Sequence, residues 1–182
     1  MLEDIINTNS EEVLQQYLTN NKEILIAAYG QPAWYYNYVI PKFKLGSEYI
    51  CDFIVFTGQS YNYWINIVEL KTSTTSVFTK KGQYSKSLNE AVKQVKIYNN
   101  WIQEKNNYFK ECLLENIKLQ DSSFYETFEH TRKFIVNSKI VIGRRAKLTQ
   151  SDNKLRAIDN ESTGIDIATY DRLIDIEKKL HG

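Results

Sequence analysis

A chain of 182 residues with 42% hydrophobic and 25% charged residues is long enough, and apolar enough, to fold as one globular domain. Its 23 lysines and arginines against 22 acids leave a net charge of only +1, which argues against a protein that binds nucleic acid through a broad basic surface. This charge balance still permits an enzyme that holds phosphate groups through metal ions, since the ions supply the positive charge.

Hydrophobic periodicity predicts a mixed α/β domain in which strands follow a first helix. Apolar residues at three- and four-residue spacing indicate helices, and alternating apolar residues indicate strands. The predicted elements are a helix over 10–29, strands over 34–45, 49–57 and 63–72, a helix over 87–105, a helix and loop over 106–130, a strand over 134–143, a helix over 152–158, a strand over 165–169 and a helix over 170–180. This order predicts an α/β (α+β mixed sheet) fold with helices on the sheet's faces, forming one domain over 1–182.

The chain shows no sign of export or of membrane insertion. Residues 1–10 lack a basic region followed by an apolar run, and no apolar stretch approaches the ~20 residues needed to span a bilayer. Its two cysteines, Cys51 and Cys112, do not form the pattern of a disulfide framework. We therefore expect a cytoplasmic protein that does not associate with membranes.

Glu69 and Lys71 lie two residues apart in the third predicted strand. Because side chains alternate along a strand, both point to the same face, which also carries Ile65 and Ile67. Charged groups on an apolar face are costly unless they have a partner or a function. The alternative is an ordinary Glu–Lys pair on a solvated face.

Asp52, in the second predicted strand, is expected to face Glu69. A hairpin that is symmetric about the midpoint between Ser60 and Tyr61 pairs residues whose numbers add to 121, as 52 and 69 do. Directly opposed Cβ atoms are about 4.5–5.5 Å apart, so the two carboxylates would repel each other unless a cation lies between them. Mg²⁺, or Mn²⁺ in its place, prefers such oxygen ligands. Lys71 would then position an attacking water or neutralise charge on a phosphate.

Asp52 followed, after a hairpin, by Glu69-Leu70-Lys71 resembles the PD-(D/E)xK pattern of restriction-endonuclease-like nucleases. Gln94-Val95-Lys96-Ile97-Tyr98 resembles the Gln-x-x-x-Tyr helix motif of RecB-like members. More narrowly, the chain resembles the nuclease domain of the Shedu anti-phage defence family. The segments that carry this resemblance are 14–21, 51–53, 68–71, 94–101, 141–144 and 169–173. One departure is Cys51, which stands where the superfamily pattern has proline.

The resemblance implies a restriction-endonuclease-like core and an Mg²⁺-dependent DNA endonuclease of an anti-phage system. It assigns metal ligation to Asp52 and Glu69 and catalytic roles to Lys71 and Gln94. It also implies a homo-oligomer, dimer or tetramer, with DNA as the partner and RNA as an open alternative substrate. Family members often carry a variable extra domain, for which we expect no room in this chain. Two alternatives are a RecB-like, restriction or repair nuclease outside the defence family, and a catalytically silent nucleic-acid-binding or interaction module of the same fold.

Glu11 is the candidate for the first-helix carboxylate that many superfamily members place at the metal. At about 100° per residue, Glu11 falls beside Leu14 and Leu18, whereas Glu12 falls on the opposite side of the helix. The alternative for Glu11 is a capping box with Thr8, which has the right spacing.

Four further residues are candidates for contact with phosphate or with the metal ligands. Gln94 and Tyr98, four apart, share one helix edge and would orient a metal ligand or bind a DNA phosphate. The alternative is a boundary glutamine and a core tyrosine. Arg144 and Arg145 follow a buried strand and would bind phosphate, although ion pairs with nearby acids explain them equally well.

Overall fold

The computed structural model describes residues 1–8, 10–31, 36–58, 62–123 and 133–182. The strands are β1 (Tyr36–Leu45), β2 (Tyr49–Gly58), β3 (Asn62–Leu70), β4 (Lys133–Val141) and β5 (Ile165–Ala168). The helices are α1 (Leu2–Asn7), α2 (Glu11–Asn20), α3 (Lys22–Tyr29), α4 (Lys86–Glu104), α5 (Asn106–Gln120), α6 (Gln150–Thr163) and α7 (Tyr170–His181), with a 3₁₀ turn at Arg145–Lys147. Within this part of the chain, no helix combines the length and the apolar character needed to traverse a bilayer.

The described strands form one mixed sheet whose spatial order follows the chain, from β1 to β5. β1, β2 and β3 pair antiparallel, whereas β4 and β5 add in parallel orientation. Parallel neighbours need long crossover connections, which here contain α4 and α5 between β3 and β4, and α6 between β4 and β5. The ends of β3, β4 and β5 and the beginning of β2 therefore meet at one edge of the sheet. The predicted fold class, a mixed sheet flanked by helices, is confirmed.

Two hydrophobic layers cover the sheet, one on each face. Ile54 and Ile67 pack with α4 and α5, whereas their neighbours Phe53 and Val68 pack with α1, α2, α3 and α7. The helix predicted over 87–105 is α4, and its apolar residues at helical spacing are all buried: Leu88, Ala91, Val95, Tyr98 and Ile102. Polar side chains on the α4 face of β3 are therefore enclosed between the sheet and this helix.

The N-terminal helical region differs from the single helix predicted over 10–29. It breaks at Asn21, whose backbone leaves the helical conformation at φ −123° and ψ 59°, so α2 and α3 are separate helices. α1, which was not predicted, precedes them. Its first backbone N–H, at Leu2, donates to both carboxylate oxygens of Glu177 at 2.9 and 2.8 Å. Glu177 is a buried residue of α7, so the first and last helices are joined at this point.

The caps of α2 and α4 are both serines that directly precede the helix. α2 is capped by Ser10, whose hydroxyl accepts from the Val13 N–H, so the spacing of Thr8 and Glu11 does not produce a capping box. α4 is capped by Ser85, whose hydroxyl accepts from the backbone N–H three residues later, and Ser87 lies inside the helix. Caps are ambiguous in sequence because several serines and threonines often precede a helix.

Some predictions fall on residues that the structure does not describe. The middle of the predicted β2–β3 loop is residues 59–61, and the start of the first predicted strand is residues 34–35. In the predicted helix-and-loop region, α5 confirms the helix, and the part after residue 123 lies outside the described residues.

Candidate active site

The β2–β3 hairpin has the register that its symmetry predicts. Phe53 pairs with Val68, and every described pair of this ladder has residue numbers that add to 121. This pair is the last of the ladder, and the next residues outward are Asp52 and Glu69. Glu69 alternates with Val68 and so lies on the α4 side of the sheet, as Ile65 and Ile67 do. The hairpin therefore brings the two predicted acids to the same edge of the sheet, close enough for the Asp52 charge to raise the pKa of Glu69.

Both oxygens of the Asp52 carboxylate are occupied. Oδ2 accepts the backbone N–H of Leu70 at 2.9 Å, which ties the side chain to the end of β3. Oδ1 lies 2.8 Å from the amine of Lys42, on the neighbouring strand β1. The Asp52 carbonyl oxygen also accepts from the side-chain amide of Gln15, in α2, at 3.5 Å. Three elements thus hold Asp52 in place.

Glu69 is the most enclosed acid of the site, with only 3% of its surface exposed. Its Oε1 lies 2.9 Å from the amine of Lys71, whereas Oε2 is buried and has no hydrogen-bond partner among the described residues. Burial, followed by the nearby Asp52 carboxylate, raises the pKa of Glu69 from 4.5 to about 7, and Lys71 offsets only part of that rise. Burial of a carboxylate oxygen without a hydrogen-bond partner costs free energy, and a bound cation would offset that cost at Oε2.

A hydrogen-bonded chain runs from Glu69 through α4 to the start of β2. The Lys71 amine donates to Glu69 and, at 3.2 Å, to the amide oxygen of Gln94. The Gln94 amide nitrogen donates to the Tyr98 hydroxyl, which donates in turn to the Ile50 carbonyl at 3.0 Å. Burial acts to lower the pKa of Lys71, but the Glu69 carboxylate outweighs it and the pKa is raised. Lys71 is therefore a charged, fixed amine.

Glu11 and Glu12 differ as their helical positions predict. Glu11 is exposed at the start of α2, and its charge contributes to the raised pKa of Lys71. Glu12 lines a different groove, together with Ile5 and Tyr17. In the described part of the chain, no three His, Cys, Asp or Glu side chains come close enough to form a metal-binding group. Glu11 therefore lies near the site but does not join Asp52 and Glu69 in a cluster of ligands.

The oxygens of Asp52 and Glu69 fit a divalent cation by their chemistry. Both are hard carboxylate ligands of the kind that Mg²⁺ and Mn²⁺ prefer. The unpaired Oε2 of Glu69 would gain a partner, and the mutual repulsion of the two acids would be relieved. These two residues are the ones that would hold the metal.

Arg144 and Arg145 lie in ion pairs. The guanidinium of Arg144 donates through Nε and Nη2 to Asp171, both at 3.2 Å, and lies 3.8 Å from Glu3. Arg145 Nη2 lies 2.6 Å from Asp175. The structure thus places both arginines against acids of α7 and α1, as the ion-pair alternative predicts, and brings neither to Asp52 or Glu69.

A groove of about 410 Å³ opens beside the Gln94–Tyr98 pair, between α4 and the β1–β2 turn. Its walls include the ring of Tyr49 and the side chains of Ile50 and Ile97. Gln94 and Tyr98 therefore line this groove and also connect to the partly buried Lys71 amine, so they can contact a bound molecule as well as the site.

Lys42 is the functional candidate that the sequence reasoning missed. Its φ of +47° makes it the one non-glycine residue with positive φ in the described chain. The turn at Gly46 could have revealed this residue. Leu45 pairs with Tyr49 across the turn, and the same register three residues further from the turn places Lys42 opposite Asp52.

Residues 8–174 match the family described as "Shedu protein SduA, C-terminal". The chain belongs to this family. The match covers most of the chain and includes every candidate residue, from Glu11 to Arg145. Membership in the Shedu family indicates a part in anti-phage defence. No curated protein matches the chain.

Proposed function

We propose that this Shedu-family chain is a metal-dependent DNA endonuclease that hydrolyses phosphodiester bonds as an effector of anti-phage defence. The observation that carries the proposal is the convergence of Asp52, Glu69 and Lys71 at one sheet edge, with the Lys71 amine held between Glu69 and Gln94. A purely structural Glu69–Lys71 ion pair would need neither the neighbouring Asp52 carboxylate nor an unpaired oxygen on Glu69.

Asp52 and Glu69 would hold Mg²⁺, with Glu11 near enough to influence the site through its charge. When bound, the metal supplies charge stabilisation to the phosphate and lowers the pKa of a water molecule. Asp52 is well prepared for this task, because the Leu70 N–H and the Gln15 amide fix its position before any metal binds.

Lys71 would act on the reacting atoms. An ammonium group has three N–H donors, and Glu69 and Gln94 accept two of them, so the third can reach an attacking water or a phosphoryl oxygen. In the reaction a water oxygen bonds to phosphorus, a P–O ester bond breaks, and the leaving oxygen takes up a proton. A fixed positive amine stabilises the negative charge that develops on the phosphoryl oxygens.

Gln94 and Tyr98 would set the direction of the Lys71 amine. Because the Tyr98 hydroxyl donates to the Ile50 carbonyl, it accepts from the Gln94 nitrogen, and this leaves the Gln94 oxygen for Lys71. The groove beside these two residues offers a path for a nucleic-acid strand to the site.

A cleavage assay with supercoiled plasmid, Mg²⁺ or Mn²⁺, and an EDTA control tests the proposal. We expect nicked or linear products from the parent protein with either metal, and none with EDTA or from Lys71→Met. Lys44→Gln, a charge change on the exposed face of β1, should cleave like the parent. Cleavage that persists in EDTA or in Lys71→Met would refute the mechanism. A parallel assay on RNA of matched sequence decides between the two nucleic acids.

A further inference from the structure

We propose that Lys42 is a built-in competitor of the metal: its amine occupies Asp52 in the metal-free protein and must leave before a divalent cation binds there. Lys42 would therefore set the metal concentration at which the site is loaded. This inference rests on the proposed function, since it takes Asp52 as a metal ligand.

Among the described residues, Lys42 alone forms a hydrogen bond with one oxygen of the Asp52 carboxylate. The Leu70 N–H occupies Oδ2, and this backbone bond does not depend on metal. Oδ1 is bound by the Lys42 amine at 2.8 Å. A divalent cation on Oδ1 would lie beside the Lys42 ammonium and repel it, so binding of the cation favours departure of the amine.

The Lys42 side chain is well placed to leave. It is 56% exposed, whereas the Lys71 amine is anchored by Glu69 and Gln94 and its side chain is only 19% exposed. An exposed lysine on a flexible stem returns its amine to water at little cost, so its pairing with Asp52 is modest in strength. Lys42 can thus exchange with a metal ion, while Lys71 stays in place for the reaction.

The backbone conformation of Lys42 indicates that the lysine side chain has a role at this position. At φ +47° glycine is the residue that fits without strain, and asparagine is the next best, yet this position carries lysine. Lys44, two residues later on the same exposed side of β1, has no ion pair among the described residues. Of these two lysines, the one with the strained backbone is Lys42, and it is also the one whose amine binds Asp52. The strain is therefore associated with this contact.

Mn²⁺ titration without nucleic acid, followed by the EPR signal of free Mn²⁺, tests the inference. Lys42→Gln removes the competing charge, so it should bind Mn²⁺ about fivefold more tightly than the parent, as expected for a partly exposed ion pair. Lys42→Arg keeps the charge and should bind like the parent. Lys44→Gln removes the same charge from the same strand and should change the affinity by less than about twofold.

Lys42→Gly serves as a second variant in case Lys42→Gln folds poorly, since it lacks the amine and suits the backbone. It should also bind Mn²⁺ about fivefold more tightly. An affinity in Lys42→Gln and Lys42→Gly that is unchanged, or no tighter than in Lys44→Gln, overturns the inference and leaves the nuclease proposal standing. If the parent binds no more Mn²⁺ than Asp52→Asn does, the metal site itself is refuted, and this inference with it.

Discussion

The amide oxygen of Gln94, in α4, lies 3.2 Å from the amine of Lys71, which follows β3 twenty-three residues earlier in the chain. This contact joins a helix edge to the end of the central strand at the point where Glu69 is buried. The Gln94 amide nitrogen donates to the Tyr98 hydroxyl, so the amide oxygen points to Lys71. In this way α4 fixes the direction in which the Lys71 amine donates.

Gln94→Ala should lower cleavage about 10- to 100-fold, as expected for a residue that orients a catalytic group. The loss of one part-buried hydrogen-bonding side chain should lower Tm by only about 2–4 °C. Gln103→Ala, on an exposed face of the same helix, is the matched control and should retain full activity. Plasmid cleavage rates and thermal melts measure both effects, and equal rates for Gln94→Ala and the parent would make Gln94 only a boundary residue.

Asp52→Asn and Glu69→Gln should each abolish cleavage while the fold stays intact. In EDTA their melting temperatures should equal or exceed that of the parent, because one of two repelling carboxylates is gone. Lys71→Ala should also be inactive but should still bind Mn²⁺, since both acids remain. Circular dichroism, melting curves and Mn²⁺ titration separate these cases. Full activity in any one of the three variants would contradict the role assigned to that residue.

The metal-free protein should lose stability as pH rises through neutrality because of Glu69. Its pKa is raised in the folded state from 4.5 to about 7, so the stability it contributes is complete below pH 4.5 and is lost as pH passes 7. The loss should amount to about 1–3 kcal/mol in free energy of unfolding. Urea unfolding in EDTA at several pH values measures it. Glu69→Gln lacks this titrating group. If the free energy of unfolding depends on pH in the same way for parent and variant between pH 5 and 8, the pKa of Glu69 is not raised.

Glu11→Gln should reduce cleavage, whereas Glu12→Gln should not. Glu11, but not Glu12, is among the main charges that raise the pKa of Lys71, and Glu12 lies in a different groove. Both residues are exposed in the first turn of α2, so both changes remove one charge at the same distance from the helix end and should affect stability alike. Cleavage rates for the two variants at one Mg²⁺ concentration decide the matter, and equal rates would remove Glu11 from the site.

We expect the protein to be a homo-oligomer, at least a dimer. One site of this type acts on one strand, so cleavage of both strands favours two copies related by a twofold axis. Multi-angle light scattering at micromolar concentration measures the mass. A value near 21.4 kDa, unchanged by DNA and Mg²⁺, would contradict this prediction.

The acids of the site could be predicted because a hairpin with two long strands has few possible registers. The symmetric count that pairs Phe53 with Val68 is the observed one, and a shift by one residue would have turned Glu69 to the other face. The stripe of α4 was equally predictable, since its apolar spacing is regular over the whole helix.

Other features could not be predicted, because they depend on tertiary contacts. α1 has only six residues, too few to be stable alone, and it forms where Glu177 accepts its first N–H. The break at Asn21 separates two helices that share one apolar pattern. Lys42 required both the alignment of β1 with β2 and a backbone conformation that lysine rarely adopts.

The joining of α1 to Glu177 has a practical consequence for how this domain should be delimited. The family match covers residues 8–174, so both partners of that contact lie beyond its limits. The hydroxyl of Ser73, two residues after Lys71, donates to the carbonyl of Ile6 in α1 at 3.0 Å. A version trimmed to 8–174 would therefore remove a support of the segment that follows Lys71. We therefore expect residues outside the matched region to stabilise the fold around the site, because α1 contacts both Glu177 and the segment after Lys71.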